Sequence, residues 1–188
     1  DKEMLRRIAM TSMATKAISE SRDILADMAV DAVLAVAQKT DGEYKVDLDD
    51  IKVEKKAGES LAATRLIRGI ALDKEAVHPG MPKDVHEAKI ALLNSPMEIE
   101  KTEYDAKLNI ERPEQIKAFL DEETRMLQEM VEKITASGAN VVVCQKGIDD
   151  AAQHFMAKKG IVAIRRAKES DMQKLAKATG GRILTSTD

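Results

Sequence analysis

The 188-residue chain has no tryptophan, and its only other aromatic side chains are Tyr44, Tyr104, Phe119 and Phe155. Stacking platforms for single-stranded nucleic acid need more rings than that. A net charge of −3 leaves no basic footprint for a phosphate backbone. A single cysteine, Cys144, excludes an internal disulfide and a cysteine-rich zinc site, and it fits a reducing, cytoplasmic setting. No apolar run reaches the ~18 residues that crossing a membrane requires. The opening Asp1-Lys2-Glu3 is no signal peptide, and the missing initiator methionine suggests a piece of a longer chain. The three histidines, His78, His86 and His154, lack metal-ligand spacing. Neither GxGxxG nor the P-loop pattern occurs, so no metal and no cofactor is expected of these residues.

What is present argues for a folded protein. Hydrophobic residues make up 44% and charged residues 34%, too apolar a mixture for disorder. The length suits about one domain with an appendage. Such a chain can bury roughly 70% of its unfolded surface. The first ~40 residues read as helical, with Ile18, Leu25, Ala29, Ala32, Val33 and Val36 near one face. From Met28 to Ala37 only Asp31 is polar, and Gly42 ends the pattern, so a boundary falls between Lys39 and Gly58. The middle reads as strand-rich. Ile51 and Val53 alternate with charged residues, as do Met97 and Ile99. Residues 66–72 and 89–93 are short apolar runs. His78-Pro79-Gly80-Met81-Pro82 is loop chemistry.

A long helix follows. Pro113 suits its first turn and Gly138 its far end. The ~25 residues between would span roughly 37 Å, more than the ~30 Å of a small domain, so one end should project. Leu127, Met130, Val131 and Ile134 form a stripe in the second half. In the first half Ile116, Phe119 and Leu120 are followed by five polar residues, 121–125. The expectation is a docked C-terminal half and a projecting N-terminal half with an apolar tip. A contiguous exposed apolar patch marks a binding surface, unless Ile110 or the loop at Met81 covers it.

The last third alternates strand and helix: strand 140–144, helix 148–159, strand 161–164, helix 170–179 with Ser170 as N-cap, and strand 182–184. That order implies an α/β fold with parallel pairing and right-handed crossovers. Ligands of open α/β sheets sit beyond the carboxyl ends of strands. The first such turn, Gln145-Lys146-Gly147-Ile148-Asp149-Asp150, has one glycine and two aspartates, which suit a helix start better than a phosphate. A small-molecule or enzymatic site at this turn is the alternative reading. A trio of Cys144, His154 and Asp149 is conceivable. However, Cys144 closes an apolar strand, and nothing in the sequence activates its thiol. His154 and Gln153 should face solvent, opposite Ile148, Ala152, Phe155 and Met156. The basic pairs Lys55-Lys56 and Arg165-Arg166 are short enough to serve solubility alone.

The ordered series Gly138-Ala139-Asn140-Val141-Val142-Val143-Cys144-Gln145-Lys146-Gly147-Ile148-Asp149-Asp150, then Ala152-Gln153-His154, Lys159-Gly160-Ile161, Arg165-Arg166, Ser170-Asp171-Met172, Leu175-Ala176 and Ala178-Thr179-Gly180, resembles the group II chaperonins, the archaeal thermosome and its eukaryotic cytosolic relatives. Met81-Pro82-Lys83, Ala88-Lys89-Ile90-Ala91-Leu92-Leu93 and Met10-Thr11-Ser12 extend the likeness over essentially the whole chain. The resemblance implies a mixed α/β apical domain at 56–188, preceded by a helical, partial intermediate domain at 1–55. The long helix would belong to the helical protrusion, about 108–125, the built-in lid of that family.

It further implies a molecular chaperone whose partners are non-native polypeptides and other subunits of a double ring. ATP and magnesium would be handled by domains of the full-length protein and by none of these residues. The expected polypeptide-binding residues are Ile116, Phe119 and Leu120 at the tip. With them stand Asp149, Asp150, Gln153, His154 and Lys158 on the 148–159 helix. The chain stops just after a strand where the family's apical domain continues, so a remainder is expected beyond it.

Overall fold

The structure, a computed structural model, describes residues 1–99 and 113–186, the side chains at 19 and 113–115 excepted. The chain forms two compact units, Asp1–Ala71 and Leu72–Asp188.

In the first unit, α1 (Lys2–Met13) begins at Asp1, whose carboxylate accepts from the Glu3 amide at 2.9 Å. A short 3-10 turn, Ser19–Ser21, leads into α2 (Arg22–Val36). The helical reading of the first ~40 residues is thus corrected to two helices. They are laced by charge. Arg6 reaches Asp23 and Asp27 at 2.6 and 2.7 Å, and Lys2 reaches Asp31 at 2.6 Å. The three aspartates recur every fourth residue, so they share one side of α2. Ala26 and Val30 are buried in this unit.

The helical pattern ends earlier than Gly42, because 38–45 is a hairpin. Strands β1 (Gln38–Thr40) and β2 (Glu43–Lys45) pair antiparallel. Asp41 and Gly42 turn the chain with φ of +53° and +88°, the left-handed pair that a two-residue hairpin turn requires. No strand forms at Ile51 and Val53, contrary to their alternation, and Val53 is exposed. Lys52 between them donates to the Ala71 carbonyl at 3.0 Å and pairs with Glu54 at 2.8 Å. Residues 66–72 likewise form no strand.

The second unit is an α/β layer structure. Its elements run β3 (Ile90–Leu93), α3 (Pro113–Ala136), β4 (Val141–Cys144), α4 (Asp150–Lys158), β5 (Val162–Ile164), α5 (Glu169–Thr179) and β6 (Ile183–Leu184). The sheet order is β5-β4-β3-β6 and every pairing is parallel. The chain steps outward from β3 through β4 to β5, then crosses back to pair β6 with β3. Alternation sorts the strands' side chains. Leu93, Val142, Cys144 and Ala163 join one core with Leu127, Val131 and Ile134 of α3 and with Ala152 and Met156 of α4. Met172 and Leu175 of α5 are buried outside that cluster, as right-handed connections demand of a helix whose crossover reverses direction.

Ser170 is not the cap of α5. The helix begins one residue earlier, after Lys168, which makes no side-chain cap bond. Gly180 ends it in the left-handed conformation at φ +67°. Outside β5, the Ala163 carbonyl accepts from the Val77 amide at 3.0 Å, and the Ala163 amide donates to Met81 Sδ at 3.3 Å. The proline-rich loop thereby closes an edge that would otherwise be open for pairing. Met81 is buried in the main core, so it does not lie over the helix tip.

Candidate functional site

Helix α3 spans 24 residues, about 36 Å. Its two halves have opposite environments. Leu127, Val131 and Ile134 are buried, whereas residues 116–126 are exposed except for half-buried Glu123. Ile116 is 46% exposed, Phe119 37% and Leu120 53%. These three share one face of the helix with Leu127, so the apolar stripe runs past the point where the body stops supporting it. Glu123 interrupts the stripe, and its Oε1 is shielded without a hydrogen-bond partner among the described residues. On the polar face Arg125 bonds Glu122 and Glu129. The hydrogen bond from Arg125 holds the Glu122 carboxyl below the usual carboxylate range. Residues 108–112, the start of the expected protrusion, and Ile110 lie outside the described residues.

Helix α4 carries the second set. Asp149 is its N-cap, accepting from the Ala151 amide at 2.8 Å, and it is half-buried. Asp150, His154 and Lys158 are exposed at four-residue spacing, so they form one ridge. Arg165 stands 3.8 Å from Asp150. Gln153 departs from the expectation of a solvent-facing contact residue. It is only 5% exposed, and Nε2 donates to the Ile148 carbonyl at 2.7 Å and to Asp150 Oδ1 at 3.0 Å. The reason is angular. Residue 153 lies about 60° from Met156 around the helix, at the flank of the buried face. Its amide folds back onto the first turn, where an orphan carbonyl awaits a donor.

The two surfaces do not merge. α4 shares its core with the docked half of α3, and the tip begins seven residues before Leu127, about 10 Å further along the axis. The candidate residues therefore comprise an exposed apolar patch on the first half of α3 and a polar ridge on α4.

The 146–150 turn is poorly suited to an anion. The carbonyls of Lys146 and Gly147 accept from Arg166 and Met97, and the Asp149 amide donates to Met97. A side chain at Gly147 would fall on the Glu98 carboxylate, so a third acid stands over the turn. Cys144 and His154 are not brought together for catalysis. Cys144 is fully buried and its thiol donates to the Ser95 carbonyl at 3.3 Å, while His154 is on the exposed ridge. Burial pushes the thiol above its ordinary range, the opposite of activation. His154 instead meets His78, with ring centroids 5.7 Å apart, a contact that sequence spacing gave no means of finding. No group of three or more potential metal ligands occurs among the described residues. No helix among them is long and apolar enough to cross a membrane.

The whole of residues 1–188 matches the model of the TCP-1/cpn60 chaperonin family. The chain belongs to that family. It is 58% identical over 188 residues to a thermosome subunit of Methanopyrus kandleri, covering 100% of this chain and 34% of that protein. To thermosome subunit beta of Thermococcus kodakarensis it is 58% identical over 186 residues, again 34% of that protein. Its fold is similar to the open-state monomer of a group II chaperonin from Methanococcoides burtonii, with a TM-score of 0.75 and 39% identity, over 100% of this chain and 41% of that one. The chain thus spans about a third of the length of the curated relatives it matches.

Proposed function

We propose that this chain is the polypeptide-capturing and lid-forming region of a thermosome-like chaperonin subunit. Residues 1–55 would be part of the intermediate domain and 56–188 most of the apical domain, with the protrusion at about 108–125. The observation that carries this is the solvent exposure of Ile116, Phe119 and Leu120 on the unsupported half of α3. Apolar area displayed on a rigid rod contacts hydrophobic segments without requiring fixed complementary partners, which suits promiscuous capture. Lid-to-lid contact within a ring would bury the same three residues. On α4, Asp150, His154 and Lys158 remain candidates for polar contacts. Asp149 and Gln153 act instead through the helix start they build.

The 146–150 turn suits a nucleotide phosphate poorly, because the carboxylates of Glu98, Asp149 and Asp150 lie at it and the Asp149 amide is already bonded to Met97. ATP and magnesium would therefore be bound by other parts of the longer polypeptide, and this region would catalyse nothing itself. Nucleotide state would act by favouring open or closed arrangements that this region reads out. Partners would be non-native polypeptides and neighbouring subunits of a double ring in the cytoplasm, with no role for nucleic acid or membrane.

The test is aggregation suppression without ATP, using a chemically unfolded protein as client. The chain should keep it soluble, and a variant with Ile116, Phe119 and Leu120 all changed to Ser should not. Equal suppression by both would move capture away from the tip. A parallel variant, D150A/H154A/K158A, would then show whether the α4 ridge carries it.

A further inference from the structure

His78 sits at the start of the tight turn that closes the β5 edge. Its Nδ1 accepts the Gly80 amide hydrogen at 3.0 Å, and the Met81 amide donates to the His78 carbonyl at 3.1 Å. The side-chain bond spans two residues, the geometry of an Asx turn with imidazole in place of a carboxamide. The opposite face of the turn is set by Met81, whose sulfur holds the Ala163 amide. The His78 ring also lies against His154 of α4, centroids 5.7 Å apart and planes tilted by 53°. A β-carbon at Gly80 would come within 3.1 Å of Nδ1 and 3.9 Å of Ala157, so the turn is packed between the ring and α4.

An imidazole can accept at Nδ1 only while that nitrogen carries no proton. Protonated His78 would point an N–H at the Gly80 N–H, and protonated His154 would set a second positive charge beside it. We infer that His78 and His154 form a proton-sensitive latch that fastens the 78–82 turn to α4 when neutral and loosens it when protonated. On α4, Asp150 and Lys158 stand one turn before and after His154, and Asp150 is 3.8 Å from Arg165; Lys83 follows the turn in sequence. Among the described residues no charged side chain bonds either ring, so no ion pair fixes the charge of the latch. A metal ion shared by the rings is disfavoured by the same bond. With Nδ1 taken by Gly80, Nε2 of neutral His78 carries the proton and has no lone pair to give. The inference does not rest on polypeptide capture, although it shares His154 with the α4 ridge.

The test is NMR solvent exchange at the Gly80 amide of the 188-residue chain, corrected for the intrinsic rate, from about pH 8 to about pH 5, the interval in which histidines change charge. Protection should fall about fivefold toward acid, the worth of one ordinary hydrogen bond, while the Ala91 amide of β3 stays protected. In His78→Asn the carboxamide oxygen replaces Nδ1 as acceptor without titrating, so protection at Gly80 should stay level. In His154→Gln, which changes an exposed position and leaves one titrating ring in place of two, the fall in protection should be less steep with pH than in the wild type. A level profile in the wild type would overturn the latch, as would an H78N profile that falls in parallel with it. An H154Q profile identical to wild type would remove His154 from it.

Discussion

Replacing Gln153 with Leu tests whether this residue is an internal brace or a surface contact. The structure places its amide nitrogen 2.7 Å from the Ile148 carbonyl and 3.0 Å from Asp150 Oδ1, in a side chain only 5% exposed. Leucine is close in size and keeps the packing. What it removes is the donor, leaving the Ile148 carbonyl at the start of α4 without its side-chain partner. An orphaned buried acceptor costs about 1–3 kcal/mol, and ~2 kcal/mol corresponds to a fall in Tm of roughly 4–8 °C for a chain of this size. Thermal unfolding followed by far-UV circular dichroism would read it, since the chain has no tryptophan to report by fluorescence. Lys158→Ala, on the same helix and exposed, provides the control and should shift stability by less than about 0.5 kcal/mol. If Q153L and K158A were equally neutral, Gln153 would be the solvent-facing residue that its position between Ala152 and His154 first suggests. The brace would then be wrong.

Three further outcomes follow from the geometry. Asp149→Ala should cost about 1 kcal/mol through the lost N-cap bond to Ala151, read in the same unfolding experiment, with Asp149→Ser restoring most of it. Arg125 lowers the Glu122 carboxyl, so their pairing supports α3 above the ordinary glutamate range and is lost as the pH falls through the depressed folded-state value. Amide protection in 116–126, corrected for the intrinsic exchange rate, should therefore fall with acid in the wild type and lose that dependence on Glu122 in Arg125→Ala. Cys144, buried with its thiol pushed up, should react with a thiol reagent only as fast as the unit opens. Labelling at the rate of a free thiol in native buffer would contradict its place in the core.

Much of the second unit was legible because its signals are local and strong. Pro113 and the glycine at 138 bracket α3 to within two residues, and the break at 121–125 marks where support ends. The apolar runs at 90–93 and 141–144 became central strands. Alternation alone failed at Ile51 and Val53, because a strand also needs a neighbour to pair with, and nothing in a single sequence supplies one. The 38–45 hairpin was announced by Asp41-Gly42, a turn signal read instead as a helix stop. Helix periodicity sorts side chains by angle, so it placed His154 outside correctly. For Gln153, at the flank, the angle left the outcome to a hydrogen bond that only three dimensions reveal. The pairing of β6 with β3, and of His78 with His154, depends on contacts between distant segments and left no trace in spacing. At the tip, Ile116, Phe119 and Leu120 were identified by the helix outrunning the domain, and they are exposed as that argument required.

The central claim is that non-native polypeptide is taken by the apolar tip of α3. The most direct measurement places a photo-crosslinking amino acid at position 119 and, separately, at position 128, an exposed polar site on the same helix. An unfolded client is then added without nucleotide. Client adducts at 119 with few at 128 are the predicted result. Captured client that crosslinks equally at both positions, or at neither, would contradict it.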